Sequence, residues 1–160
     1  MLEKLKHTDG YIILEFLIVA AILAATASIF YIPSKTLIKN QIPIQVRVAA
    51  KGLAADIRAF QQNIMFSDSA ANKIILFDNK EGYIIETNNG QKRYYVDFNK
   101  NGCKGVYFDK YSSNSISFSS SGAPKNNTAG DYILKHHDNS DFACKLTIQV
   151  SSGRVDLSEV

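Results

Sequence analysis

A chain of 160 residues has room for one soluble domain beside a helix. Its formal charge of +3, from 18 bases against 15 acids, is too weak by itself to mark a polyanion as partner. Two cysteines are too few for a disulfide scaffold, and without a C-x-x-C or histidine pattern they make a poor zinc signature.

The chain opens on a short charged stretch in which Lys4, Lys6 and His7 stand against Glu3 and Asp9. Gly10 closes it. From Tyr11 to Ile32 the sequence is apolar, and Glu15 is its single charged group. A membrane-spanning helix needs about 20 such residues. A charged side chain in that setting costs about 2.5–3.5 kcal/mol at the bilayer centre, so an acid there marks a functional hypothesis whose partner must be sought. No Lys, Arg or His lies within the segment, which places the partner on another chain. Lys4 and Lys6 predict that the first residues stay cytoplasmic and that the body from Ser34 lies outside the cytoplasm.

Pro33 and Pro43 predict a kink or interruption of the helix, with 34–41 continuing it between them. Val46, Ala49, Leu53, Ile57, Phe60 and Ile64 then recur at spacings of three and four, the pattern of an amphipathic helix. Helical signal ends at Ser67-Asp68-Ser69.

Beyond Asn72 the period shortens. Strands are expected at 73–78, 82–87, 93–98, 105–109, 115–119, 131–135, 145–150 and 155–157. Asn79-Lys80-Glu81-Gly82 and Asn88-Asn89-Gly90 read as turns, and 119–128 reads as a loop. Closely spaced strands behind a helix predict an α+β fold. Its long N-terminal helix, apolar and transmembrane in the first half and amphipathic in the second, packs on an antiparallel β-sheet domain. Cys103 and Cys144 lie in the outer body, where a pair tends to oxidise, and a disulfide between them is expected. Closing a loop of that size adds roughly 3–4 kcal/mol in the chain-entropy model.

The charged leader, Gly10, the aromatic Tyr11, Glu15 five residues into the mature numbering and the apolar helix ending before Pro33 together resemble the class III signal of type IV pilins and type II secretion pseudopilins. Tyr11 stands where that family usually has Phe. Further along, Leu53-Ala54-Ala55-Asp56-Ile57-Arg58 with Ile64 and the strand at 73–76, then Ile116-Ser117-Phe118-Ser119-Ser120-Ser121-Gly122, then Leu146 to Val155 with its Gly153-Arg154 turn, are similar in order to the GspH/FimT minor pseudopilins. A glycine at 153 also suits any hairpin turn that needs positive φ.

The resemblance implies a leader at 1–10, a helix over 11–66 with a transmembrane part at 11–32, and an extracytoplasmic β-rich domain over 67–160. It implies cleavage by prepilin peptidase between Gly10 and Tyr11, methylation of the new Tyr11 amine, and neutralisation of that amine by Glu15 of an adjacent subunit. The implied product is a minor pilin or pseudopilin. It is single-pass in the cytoplasmic membrane among lipid, and then part of a pilus or pseudopilus. Its implied partners are other pilins or pseudopilins, the peptidase and the inner-membrane assembly platform. A DNA-binding competence pilin and an unpolymerised membrane-anchored module are the alternatives.

Three groups of residues invite other chemistry. Asp97-Phe98-Asn99-Lys100-Asn101-Gly102 matches the opening of a calcium loop, with Asp97, Asn99 and Asn101 as candidate ligands. Position twelve, however, is Phe108 rather than an acid, so a polar hairpin turn is the preferred reading. Lys92, Arg93, Tyr94, Tyr95, Lys104, Tyr107, Phe108, Lys110 and Tyr111 interleave bases with aromatics, as a single-strand platform does. Some FimT-like pilins bind DNA through a C-terminal G-R-x-R. Here Arg154 is followed by Val155 and Asp156, so the second Arg is absent and core packing is preferred for the aromatics. His136-His137-Asp138 reads as a solvated strand end. No G-x-S-x-G, P-loop or H-E-x-x-H occurs, so neither catalysis nor a cofactor is expected.

Overall fold

The computed structural model describes residues 6–66, 72–87, 90–125 and 127–160, with side chains over 11–28 and 40–66 of the helical part. Lys4, Ser67-Asp68-Ser69 and Asn88-Asn89 therefore lie outside the described residues, as do the side chains of Lys6, His7 and Pro33. Helical backbone, α1, covers Lys6–Phe66. The chain divides into two compact units, Met1–Gln41 and Ile42–Val160.

In the first unit, Tyr11–Ser28 is a helical stretch long and apolar enough to cross a membrane. Its side chains are exposed throughout. Thr26 and Ser28 donate their hydroxyls back to the Leu23 and Ala25 carbonyls, at 3.0 and 2.7 Å. Neither presents an unsatisfied donor to an apolar surrounding.

The second unit is α+β. The α1 residues from Ile42 pack with two four-stranded antiparallel sheets. The strands are β1 (Lys73–Leu76), β2 (Gly82–Thr87), β3 (Lys92–Asp97), β4 (Val106–Tyr111), β5 (Ser115–Ile116), β6 (Gly130–His136), β7 (Asn139–Ile148) and β8 (Val155–Glu159). One sheet runs β3-β2-β1-β5 and the other β4-β6-β7-β8. The antiparallel strands expected from the sequence are thus divided between two sheets. The amphipathic half of the helix belongs to the same compact unit as the strands.

All six periodic helix positions, from Val46 to Ile64, are buried. With Ala49, Ala50 and Ala54 among the helix contributions, they share one core with Ile74, Leu76 and Tyr83 of the first sheet and with Val106, Phe108, Tyr132, Leu134, Leu146 and Ile148 of the second. Pro43 does not interrupt the helix. It lacks one backbone donor, but buried Ile42 and Val46 on either side hold that turn to the core.

Polar side chains of the helix bind the ends of the sheets. Asp56 accepts the Tyr83 hydroxyl at 2.6 Å, Arg58 donates to the Val155 carbonyl at 2.8 Å, and Gln61 donates to the Gly122 carbonyl at 2.6 Å. Burial first, and then the Asp56 bond, push the Tyr83 hydroxyl well above its usual pKa, which keeps it a donor.

The β7–β8 hairpin requires its glycine. Gly153 has φ +66°, and a Cβ there would lie 2.4 Å from the Gly122 carbonyl oxygen and 2.5 Å from Gln61 Nε2. Gly90 also has positive φ, but open space around it. Gly153→Ala should therefore lose about 2 kcal/mol or more in a urea melt, from left-handed strain plus overpacking. Gly90→Ala should lose only the strain; equal losses would contradict the close approach.

Candidate functional site

Tyr11, Leu14, Glu15 and Ile18 fall at helical spacings of three and four, and they line one concave face with Val19. The position that would carry a new amine after cleavage and the acid expected to neutralise one thus share a helix face one turn apart. Glu15 takes part in none of the ion pairs among the described residues. Every apolar neighbour on this face is more than half exposed except Val19, at 50%. The face presents one carboxylate in an otherwise greasy surface, which a partner of opposite charge and apolar surround would complement. Gly10 is helical in its backbone.

The Asp97 turn uses its oxygens internally. Asp97 Oδ1 accepts the Asn99 N–H at 2.9 Å, and Asn99 Oδ1 accepts the Gly105 N–H at 3.1 Å. Asn99 Nδ2 donates to Glu81 Oε2 at 2.8 Å, and Lys100 lies 3.8 Å from Asp97. Gly102 takes φ +78° to close the turn. Asn101 contributes its backbone N–H to the Asp97 carbonyl. Among the described residues no three His, Cys, Asp or Glu side chains group as a metal site. The arrangement is a self-bonded polar turn between β3 and β4.

The basic candidates are divided between the two sheets. Lys92 and Arg93 lie on β3 in the first sheet, whereas Arg154 lies in the β7–β8 turn of the second. Arg154 is held by Asp156 at 2.8 Å, and Arg93 by buried Glu86 at 2.8 Å. The aromatics divide. Phe108 is in the core as expected, but Tyr94 and Tyr95 are 57% and 64% exposed, against the core reading.

The cysteines also depart from expectation. Cys103 and Cys144 are free, separately buried thiols, not a disulfide. Cys103 sits three residues before β4, while Cys144 lies within β7, and β6 separates those strands. Burial raises both thiol pKa values, which lowers the reactive thiolate fraction.

His136 is not a solvated strand end. It is 4% exposed, with Nε2 2.9 Å from the Lys104 carbonyl and Nδ1 accepting the Asp138 N–H at 3.0 Å. Those partners assign the proton of the neutral ring to Nε2. His137 and Asp138 are exposed; His137 stacks on Tyr107 at 4.4 Å and approaches Glu81 at 3.4 Å. The signal for His136 was available in Gly105, whose positive φ and missing Cβ make room for the imidazole.

No protein-family model, curated protein or solved structure matches the chain.

Proposed function

We propose that this chain is a minor pilin or pseudopilin, a structural subunit that enters a type IV pilus-like or type II secretion pseudopilus fibre through its N-terminal helix. The observation that supports this reading is the uncovered apolar stretch Tyr11–Ser28 with its single acid, Glu15, one turn from Tyr11. In this reading the leader is removed after Gly10 and the new amine is methylated. That amine has an unperturbed pKa near 7.7–8.0 and is positive at neutral pH. In low dielectric, the amine of one subunit and Glu15 of the next attract strongly, and either charge alone would be expensive.

The proposal takes α1 as one long helix serving two surroundings: lipid and then fibre core for its first half, the sheets for its second. Before assembly the protein is single-pass in the cytoplasmic membrane with the β-rich unit outside. The β-rich surface then meets other minor subunits, and the peptidase and assembly platform act on the helical end.

Mass spectrometry of the protein from cells with an active prepilin peptidase tests the processing step. The expected N-terminus is methylated Tyr11. Retention of Met1 would support a plain membrane-anchored module instead. The exposed pair Tyr94 and Tyr95 beside Lys92 is the observation that keeps the DNA-binding alternative in view. That alternative requires binding to single- or double-stranded DNA that falls steeply with salt.

A further inference from the structure

Unpaired sheet edges are templates for pairing with another chain. Three of the four edges here are met by the protein itself. Along β8, Arg58 donates to the Val155 carbonyl and Arg47 holds Glu159 at 2.7 Å. On β4, the Phe108 N–H donates to the Lys80 carbonyl at 2.8 Å. Directly after the two-residue β5, Ser117 donates its N–H to Thr128 Oγ1 at 3.0 Å and accepts the Lys125 N–H at 2.9 Å. β3 is different. It is six residues long, and among the described residues no strand pairs with its far side.

The ladder phase tells which groups of β3 are open. Phe98 donates to the Glu81 carbonyl and Phe77 to the Gly82 carbonyl. Bonded pairs alternate along an antiparallel ladder. With that phase, Lys92, Tyr94 and Val96 bond inward to β2, and Arg93, Tyr95 and Asp97 turn their backbone groups outward. The Asp97 carbonyl already accepts the Asn101 N–H at 3.1 Å, leaving its N–H. Tyr95 also ends a cross-strand row: Ser115 stands opposite Ile75, Ile75 opposite Ile84, and Ile84 opposite Tyr95.

We propose that β3 pairs antiparallel with β3 of a second copy of this chain, about a two-fold axis at Tyr95. The segment is self-complementary in charge around that residue, because Arg93 and Asp97 flank Tyr95 at equal distances along the strand. In this register Tyr95 meets Tyr95 of the other copy, and Arg93 of each copy meets Asp97 of the other. Tyr94 meets Val96. Opposite charges directly across a ladder favour the register, as does an aromatic pair. Glu86 holds Arg93 and the Asn99 N–H holds Asp97, so both side chains are oriented before pairing. The apolar row Ile75, Ile84, Tyr95 then runs unbroken through six strands, three from each copy. The contact is isologous and closes on itself, so it yields dimers rather than open chains. It uses only the 42–160 unit and is independent of the fibre reading.

The test is cysteine cross-linking of the full chain in detergent micelles. Across a bonded antiparallel pair the Cα atoms are about 5.5 Å apart, within disulfide range. Tyr95→Cys should link to itself under mild oxidation. Tyr94→Cys is comparably exposed, but it would lie two residues out of register with its copy, about 8 Å away. It should link roughly tenfold less, since that distance exceeds disulfide reach. Adding Arg93→Asp to Tyr95→Cys sets carboxylates opposite one another and should cut the linked fraction. Association through the apolar helix would link neither position selectively. A folded Tyr95→Cys chain, judged by its thermal melt, that stays unlinked overturns the proposal. So does equal linking at 94 and 95.

Discussion

Glu15→Ala should be processed at Gly10 normally and yet be lost from assembled fibres. Removing one partner of a buried ion pair leaves the other charge uncompensated, at a cost of about 3–5 kcal/mol. At 1.4 kcal/mol per tenfold, that is two to three orders of magnitude in incorporation. Glu15→Gln, which keeps the shape and a hydrogen-bonding group, should fall between. The measurement is the share of mature protein in sheared surface fibres or in the purified pseudopilus, against the share left in the membrane. Incorporation of the alanine variant at the native level would end the pairing mechanism. The prediction rests on the proposed pairing: Glu15 is exposed on its own chain, and in an apolar surround its charge is costly until an opposite charge meets it.

Phe108→Ala should produce the second large effect, on stability. The ring is fully buried and stands 5.5 Å from Phe98, which stands 6.0 Å from Tyr83. These three rings join the first sheet to the second, while the Phe108 N–H binds the β1–β2 turn at Lys80. Truncating such a ring costs about 3–5 kcal/mol, a large part of the 5–15 kcal/mol typical of a domain. A urea melt followed by circular dichroism should show it, with Val150→Ala, at a 79% exposed position, staying within about 0.5 kcal/mol of the parent. Similar midpoints for the two variants would mean that the aromatic bridge contributes little.

How far the fold could be read in advance depended on the kind of signal. The helix face from Val46 to Ile64 was legible because burial imposes a period that nothing else in the chain imitates. β2 at Gly82–Thr87 was located by the turn chemistry on its N-terminal side, where the Asn79 side chain accepts the Glu81 N–H. β7 was read too short. Its first six residues, Asn139-Ser140-Asp141-Phe142-Ala143-Cys144, carry no β-branched residue, so the strand signal there is weak although the segment pairs with its chain neighbour β6. The division of the strands into two sheets was not legible either, because strand spacing is the same for one sheet or two.

Among the candidate sites, local rules did well and long-range ones did poorly. The Asp97 turn was read as a polar turn from a missing twelfth ligand, and its side-chain oxygens bond within the turn. The disulfide was expected from compartment alone, whereas both thiols are free and buried. Tyr94 and Tyr95 are exposed on β3 while Phe108 is buried on β4, a difference set by what packs over each strand rather than by composition.

The internally bonded hydroxyls of Thr26 and Ser28 have a mechanical consequence. With the Thr26 and Ser28 hydroxyls bonded within their own helix, these two residues offer a neighbouring helix no free donor to grip. In a filament of such subunits, resistance to axial slip would be concentrated at one ionic latch per subunit. Tension along the filament would then be resisted at Glu15 long before the sheets felt it, and stretching should be reversible for as long as the latch can close again.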